Sequence, residues 1–222
     1  MNSINLPRNK VTRAIKEFIV EGDHPCLMAQ SVIEEKAVDT IVLQGSSFNE
    51  IKKLYTFIEN SVLTKNPNSN VFTSLIAVFP DLVMEDVEEF ELFLWEVLYK
   101  LNAMDAYDWD PSVSEKLHDN NYSFSIAGAA FYIVGMFPNS PRKARRMPFV
   151  SLVFNYHSQF EKLRKMGAFD HVKKRIRQRD KRLQGSINPM LKDFGKESEA
   201  MQYSGRIVDK RWKCPYFEKP VK

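Results

Sequence analysis

The stretch from Ile126 to Phe154 limits most sharply what this chain can fold into. An 11-residue apolar run, Ile126 to Met136, is followed by Phe-Pro-Asn-Ser-Pro-Arg-Lys-Ala-Arg-Arg (Phe137 to Arg146), and a second apolar run covers Phe149 to Phe154. Apolar runs this short, bounded by Pro and Gly, read as buried strands joined by a proline-punctuated loop. That arrangement calls for a sheet with covers on both sides. The loop between the strands can present Arg142, Lys143, Arg145 and Arg146 as donors to an anion. It can also be a solvated charged connection.

The charge pattern strengthens the first reading. Arg142 to Arg182 holds 14 Lys/Arg against three acids, Glu161, Asp170 and Asp180, although the whole chain of 222 residues carries only +4. A basic part set against an acidic remainder suits an anionic ligand, an acidic partner or nucleic acid. Met1 to Lys10 is polar and reads as a flexible N-terminus without a signal peptide, and the longest apolar run cannot span a bilayer. With two cysteines, Cys26 and Cys214, the expectation is reduced thiols in the cytoplasm and no membrane association. The oligomeric state is left open, a homodimer included.

In chain order, Val11 to Val20 predicts a short helix with Ala14, Ile15, Phe18 and Ile19 on one side. His24-Pro25-Cys26 is a stiff turn, because Pro25 fixes its own φ and pushes His24 into an extended conformation. Asn49 to Leu63 is helical, Asn66 to Asn70 is a loop and Val71 to Phe79 is a buried strand. Asp81 to Asp105 holds the strongest helix, with a stripe of Val87, Phe90, Phe93, Leu94, Val97, Leu98 and Leu101. Ser123 to Val134 and Phe149 to Asn155 are strands; Gly128 and Gly135 mark bulges or close backbone approaches. Helices follow over His157 to Lys165 and Phe169 to Leu183. The second is crowded with cations that can grip phosphates or simply meet water. From Gln184 the chain is irregular, and such segments commonly close over sites. The fold expected is α+β: one domain over residues 1–222, a central sheet flanked by helices, and residues 184–222 folding over the site.

Several ordered blocks resemble the YqcI/YcgG family. They are His24-Pro-Cys-Leu-Met-Ala-Gln-Ser31, the cationic Pro138 to Arg146 stretch, Phe154-Asn-Tyr-His-Ser-Gln-Phe160, Ile176-Arg-Gln-Arg-Asp180, Leu183 to Leu191, Ser198 to Arg206 and Trp212-Lys-Cys-Pro215. The resemblance runs from about Val11 to Phe217 and is thin between Thr40 and Asp119. The blocks are also similar to the heme-dependent N-hydroxylases of the guanitoxin and D-cycloserine pathways. That similarity implies heme b as cofactor, O2 or peroxide as oxidant, an arginine-like substrate and an unidentified electron donor.

Under this resemblance the residues take roles. A heme needs an axial ligand, cations for its propionates and an apolar slot. Cys26 is the first choice as ligand and His157 the second; His24 ligates or orients, and Cys214 is a further candidate. Arg142, Lys143, Arg145 and Arg146 take the propionates, and apolar side chains from Phe124 to Phe137 and Phe149 to Phe154 line the slot. Glu199 takes the substrate guanidinium, with Glu197 and Asp193 behind it. Asn188, Gln202, Tyr203 and Arg206 contact the amino-acid head group or serve as structural hydrogen-bonders. His118 and His171 are surface residues. A heme sensor or carrier without oxygenase activity is the alternative, and a nucleic-acid-binding module built on the basic helix ranks last.

Overall fold

The computed structural model describes residues 6–65, 69 and 71–216. The loop expected over Asn66 to Asn70 lies, apart from Ser69, outside the described residues, as do the first five residues of the N-terminus. Arg8–Lys16 forms α1, so Arg8 to Lys10, expected within a flexible N-terminus, are helical. A widened turn, Glu17–Glu21, prolongs it. The buried stripe is Val11, Ile15 and Ile19, four residues apart, with Ala14 and Phe18 only half-buried at its edge.

After the His24-Pro25-Cys26 turn come α2 (Leu27–Glu34), β1 (Val38–Val42), α3 (Phe48–Thr64), β2 (Ser74–Phe79) and α4 (Val87–Met104). A hairpin, β3 (Phe124–Ile126) and β4 (Ala129–Met136), leads through the cationic loop into β5 (Val150–Tyr156). Two helices follow, α5 (His157–Lys165) and α6 (Phe169–Gln184). Thus the strand expected over Ser123 to Val134 is two strands. Ala127 and Gly128 take φ of 53° and 73°, the paired left-handed conformations of a tight hairpin turn.

The sheet order is β1-β2-β5-β4-β3, with β1 parallel to β2 and every other pairing antiparallel. The parallel pair requires a crossover, which α3 supplies. On β5, Val150, Leu152, Phe154 and Tyr156 point into a core shared with α3 and α4. Val153 points the other way, joining Ile76, Val78 and Met136 beneath α1. Helix α4 starts where Asp86 accepts the Glu89 N–H at 2.8 Å. It lies so close to β4 that a Cβ on Gly135 would sit 2.6 Å from Phe90. The architecture is a single α+β domain. Among the described residues, no helix is long and apolar enough to cross a membrane.

Candidate active site

Pro25 forces the chain out of helix after Asp23 (φ 48°), and the turn that results is tied down by His24. Its Nδ1 accepts the Cys26 N–H at 3.2 Å, which leaves Nε2 to donate to the Ala144 carbonyl at 2.7 Å. Burial also pushes the His24 pKa down, so the ring is neutral. With both nitrogens engaged, His24 orients the turn and is not free to ligate. Cys26, at the head of α2, is half-buried. Burial raises its thiol pKa, and the N–H groups of Ala29 and Met28 pull the other way. Leu27 and Met28, next to it on α2, are half-buried as well. Four of the slot residues expected from the strands, Phe124, Phe131, Phe137 and Phe154, are fully buried in the core instead, because the sheet needs them on its α4 face; Tyr132, Val134 and Phe149 stay half-buried.

The cationic loop divides into inward and outward members, which corrects the expectation of four donors facing one anion. Arg142 is buried; its Nη2 meets Asp180 Oδ2 at 2.5 Å and donates to the Ser186 carbonyl at 3.0 Å. Arg145 is buried too, and its guanidinium donates to the carbonyls of Gly135, Tyr203 and Gln202 at 3.1, 2.7 and 2.8 Å. Both hold the fold. Lys143 and Arg146 remain exposed, although Arg146 Nε also donates to the Ser140 carbonyl.

The C-terminal segment does fold inward. Ser198 caps a short 3-10 turn, Glu199–Gln202, by accepting the Ala200 N–H, and thereby sets Glu199 inside the protein at 6% exposure. Its Oε2 has no partner, and burial pushes the carboxyl up to about 8, against the opposing pull of Ser123 and Arg164. Arg206 is engaged elsewhere: it reaches Glu91 at 2.8 Å and Glu88 at 3.2 Å, so its expected role with the substrate carboxylate is corrected. Asn188 is a structural hydrogen-bonder, donating its N–H to Asp180 and accepting from the Met190 N–H. Asp193 pairs with Lys173, Glu197 is half-buried, and Tyr203 accepts the Phe124 N–H.

His157 begins α5 and is 3% exposed. Its Nδ1 has no partner, its Nε2 lies 3.5 Å from Glu161, and its ring rests on Phe194 with centroids 4.3 Å apart. Burial lowers its pKa, so it is a neutral imidazole with an unused nitrogen. Cys214 lies in the core, and His118 and His171 are exposed as expected.

One residue escaped the sequence reading. Tyr132 donates its hydroxyl to Gln202 Oε1 at 3.2 Å. Burial pushes it up to about 12; Arg145 pulls the other way, and Glu199 and Cys26, when ionised, add to the rise. Groups from opposite ends of the chain thus lie within electrostatic reach of one phenol. The signal was present: Tyr132 is the single polar side chain in the run from Ile126 to Met136. Among the described residues no three His, Cys, Asp or Glu side chains gather as a metal-ion site. A heme iron asks for only one or two protein ligands.

The profile of the YqcI/YcgG family matches residues 15–217, nearly the whole length. The chain belongs to this family. It is 28% identical over 160 residues to the uncharacterised protein YqcI of Bacillus subtilis, covering 66% of this chain and 62% of that one. It is 26% identical over 154 residues to a Streptomyces lavendulae protein provisionally named N(omega)-hydroxy-L-arginine synthase DcsA, covering 66% and 58%. The matched part thus spans about three fifths of each of these relatives. No solved structure matches the family member described here.

Proposed function

We propose that this protein binds heme b and hydroxylates a guanidino nitrogen of arginine or a close relative. The observation that carries the reading is the buried carboxyl of Glu199, whose Oε2 is unpartnered and whose short turn also holds Tyr132 through Gln202. Cys26, half-buried, is the ligand-capable group that acts electrostatically on the same phenol. The provisional name of the Streptomyces relative supports the same substrate class.

The chain offers a ligand and exposed cations for the cofactor, while part of the expected slot is packed into the core. Cys26 would ligate the iron, with the unpartnered Nδ1 of His157 as the alternative, and Lys143 and Arg146 would meet the propionates. Bound heme supplies oxygen activation: O2, two electrons and two protons convert the N–H to N–OH and release one water, and hydrogen peroxide delivers the same net change alone.

The chain's own groups manage substrate and protons. Glu199 stays protonated while its site holds no cation, because burial disfavours the carboxylate. An arriving guanidinium stabilises the ionised form, so binding displaces the Glu199 proton and leaves a charge-assisted pair in a water-poor site. Tyr132 is held by Gln202, which sits on the same short turn as Glu199. Arg145 fixes that turn against the sheet by tying β4 to the C-terminal segment.

Protein expressed with a heme precursor and supplied with reductant and O2, or with peroxide, should convert L-arginine to a product heavier by one oxygen. A Soret band with no such product would assign a heme carrier or sensor instead, and a colourless protein would refute the reading.

A further inference from the structure

The 14 cations between Arg142 and Arg182 are sorted by direction. Arg142, Arg164, Lys173, Arg177 and Arg179 all meet acids, and Arg145 and Lys162 meet backbone carbonyls. On the outer side of α6, His171, Lys174, Arg175, Gln178, Lys181 and Arg182 are exposed at the spacing of a single helix face. No hydrogen bond or ion pair engages the four cations of this face among the described residues. Four positive charges without an ion pair along about 12 Å of helix make a strong local field, to which Asp23 responds through Arg182 alone.

We propose that this face of α6 docks an acidic one-electron carrier protein, of the iron–sulfur or flavin class, which delivers electrons to the heme. The inference rests on the function proposed above. The carrier is oxidised one electron at a time; two such deliveries with two protons reduce O2, one oxygen leaving as water and one entering the N–H bond. Three observations favour this partner. The charge is complementary to an acidic surface, and no ion pair within the described residues takes it up. The patch has the small dimensions of transient redox encounters. The opposite side of the same helix touches the ligand turn: Arg179 donates to the His24 carbonyl at 2.9 Å and pairs with Asp23 at 2.5 Å. The docking face therefore lies about one helix diameter, roughly 10 Å, from the turn that carries Cys26. The face bears no Phe, Tyr or Trp, which a single-stranded nucleic acid would want for stacking.

The test uses the heme-loaded full chain and reduced plant-type ferredoxin as the probe. The rate of heme reduction is followed optically at several salt concentrations. The parent should be reduced quickly at low salt and progressively more slowly as salt rises. A K174E/R175E/K181E/R182E variant should be reduced at least tenfold more slowly at low salt and should lose the salt dependence. Its reduction by dithionite and its peroxide-driven turnover should match the parent. A K10E/K52E variant, altering exposed cations on α1 and α3, should behave as the parent. Equal slowing by both variants would assign the effect to net charge and overturn the proposal. So would an unchanged rate in the α6 variant, or tight mixed-sequence RNA binding by that face with no ferredoxin response. A parent without a Soret band would refute the heme reading itself; a parent with the band and an unchanged α6 variant refutes the docking face alone.

Discussion

Arg142 and Asp180 meet inside the protein, Nη2 to Oδ2 at 2.5 Å, with side-chain exposures of 7% and 8%. The pair bolts the cationic loop to α6, and Asp180 also receives the Asn188 N–H. A buried charge stripped of its partner is costly. Either R142M or D180N should therefore destabilise the fold by about 3–5 kcal/mol in urea denaturation. The R142M/D180L double variant should recover most of that loss. A cost under about 1 kcal/mol for each single variant would show the pair to be exposed in solution.

Glu91 is the matching anchor on the other side. Buried on α4, it accepts from Ser204 at 2.9 Å, Arg206 at 2.8 Å and Trp212 at 3.2 Å, clamping the irregular segment against the core. E91A should cost about 3 kcal/mol, since it leaves three donors without their acceptor. Hydrogen exchange should rise first across residues 203–212, before the sheet responds. Uniform exchange throughout the chain would mean that the segment is held by something else.

Gly205 combines φ of +82° with a backbone pressed on Arg145, whose Cδ would lie 2.7 Å from an added Cβ. Arg145 cannot step aside without giving up its three carbonyls. G205A should therefore lower stability by about 1–3 kcal/mol, measured by thermal unfolding, and a neutral result would show the contact to be loose.

Glu199 writes a pH dependence into stability. Its folded pKa, about 8, stands above the ordinary value of 4.5, so the folded state binds this proton more tightly than the unfolded chain. The contribution is full below pH 4.5 and is lost as pH rises through 8, falling by up to about 1.4 kcal/mol per pH unit between. E199Q should flatten that part of the stability profile. A parent whose stability rises with pH by the same amount in both proteins would contradict the assignment.

Much of the scaffold was legible because its periodicities are strong. The stripes of α3 and α4 appear in their residue types, and α5 and α6 start within a residue of where the spacing puts them. Elements without a long pattern were missed. Helix α2 has only eight residues directly after Pro25, and β1 is five residues interrupted by Asp39 and Thr40. The hairpin turn hid because Ala127 takes a positive φ that alanine rarely signals.

The candidate site was legible in its residue types and not in their directions. A run of four cations reads alike whether its members face water or the core. Only the partner decides, and for Arg142 that partner, Asp180, arrives 38 residues later. Arg206 reads as a free carboxylate-binding residue until folding brings Glu91 to it from 115 residues away. Glu199 stayed available because, among the described residues, nothing pairs with its Oε2.

The most direct measurement is an L-arginine titration of the heme-loaded protein, followed in the Soret region for the parent and for C26A, H157A and E199Q. The account predicts a parent band that shifts on adding arginine. It predicts an E199Q band that is retained but does not shift, and a C26A band that is lost or moved, with H157A little changed. A parent that takes up no heme, or an E199Q protein that responds to arginine as the parent does, would contradict it.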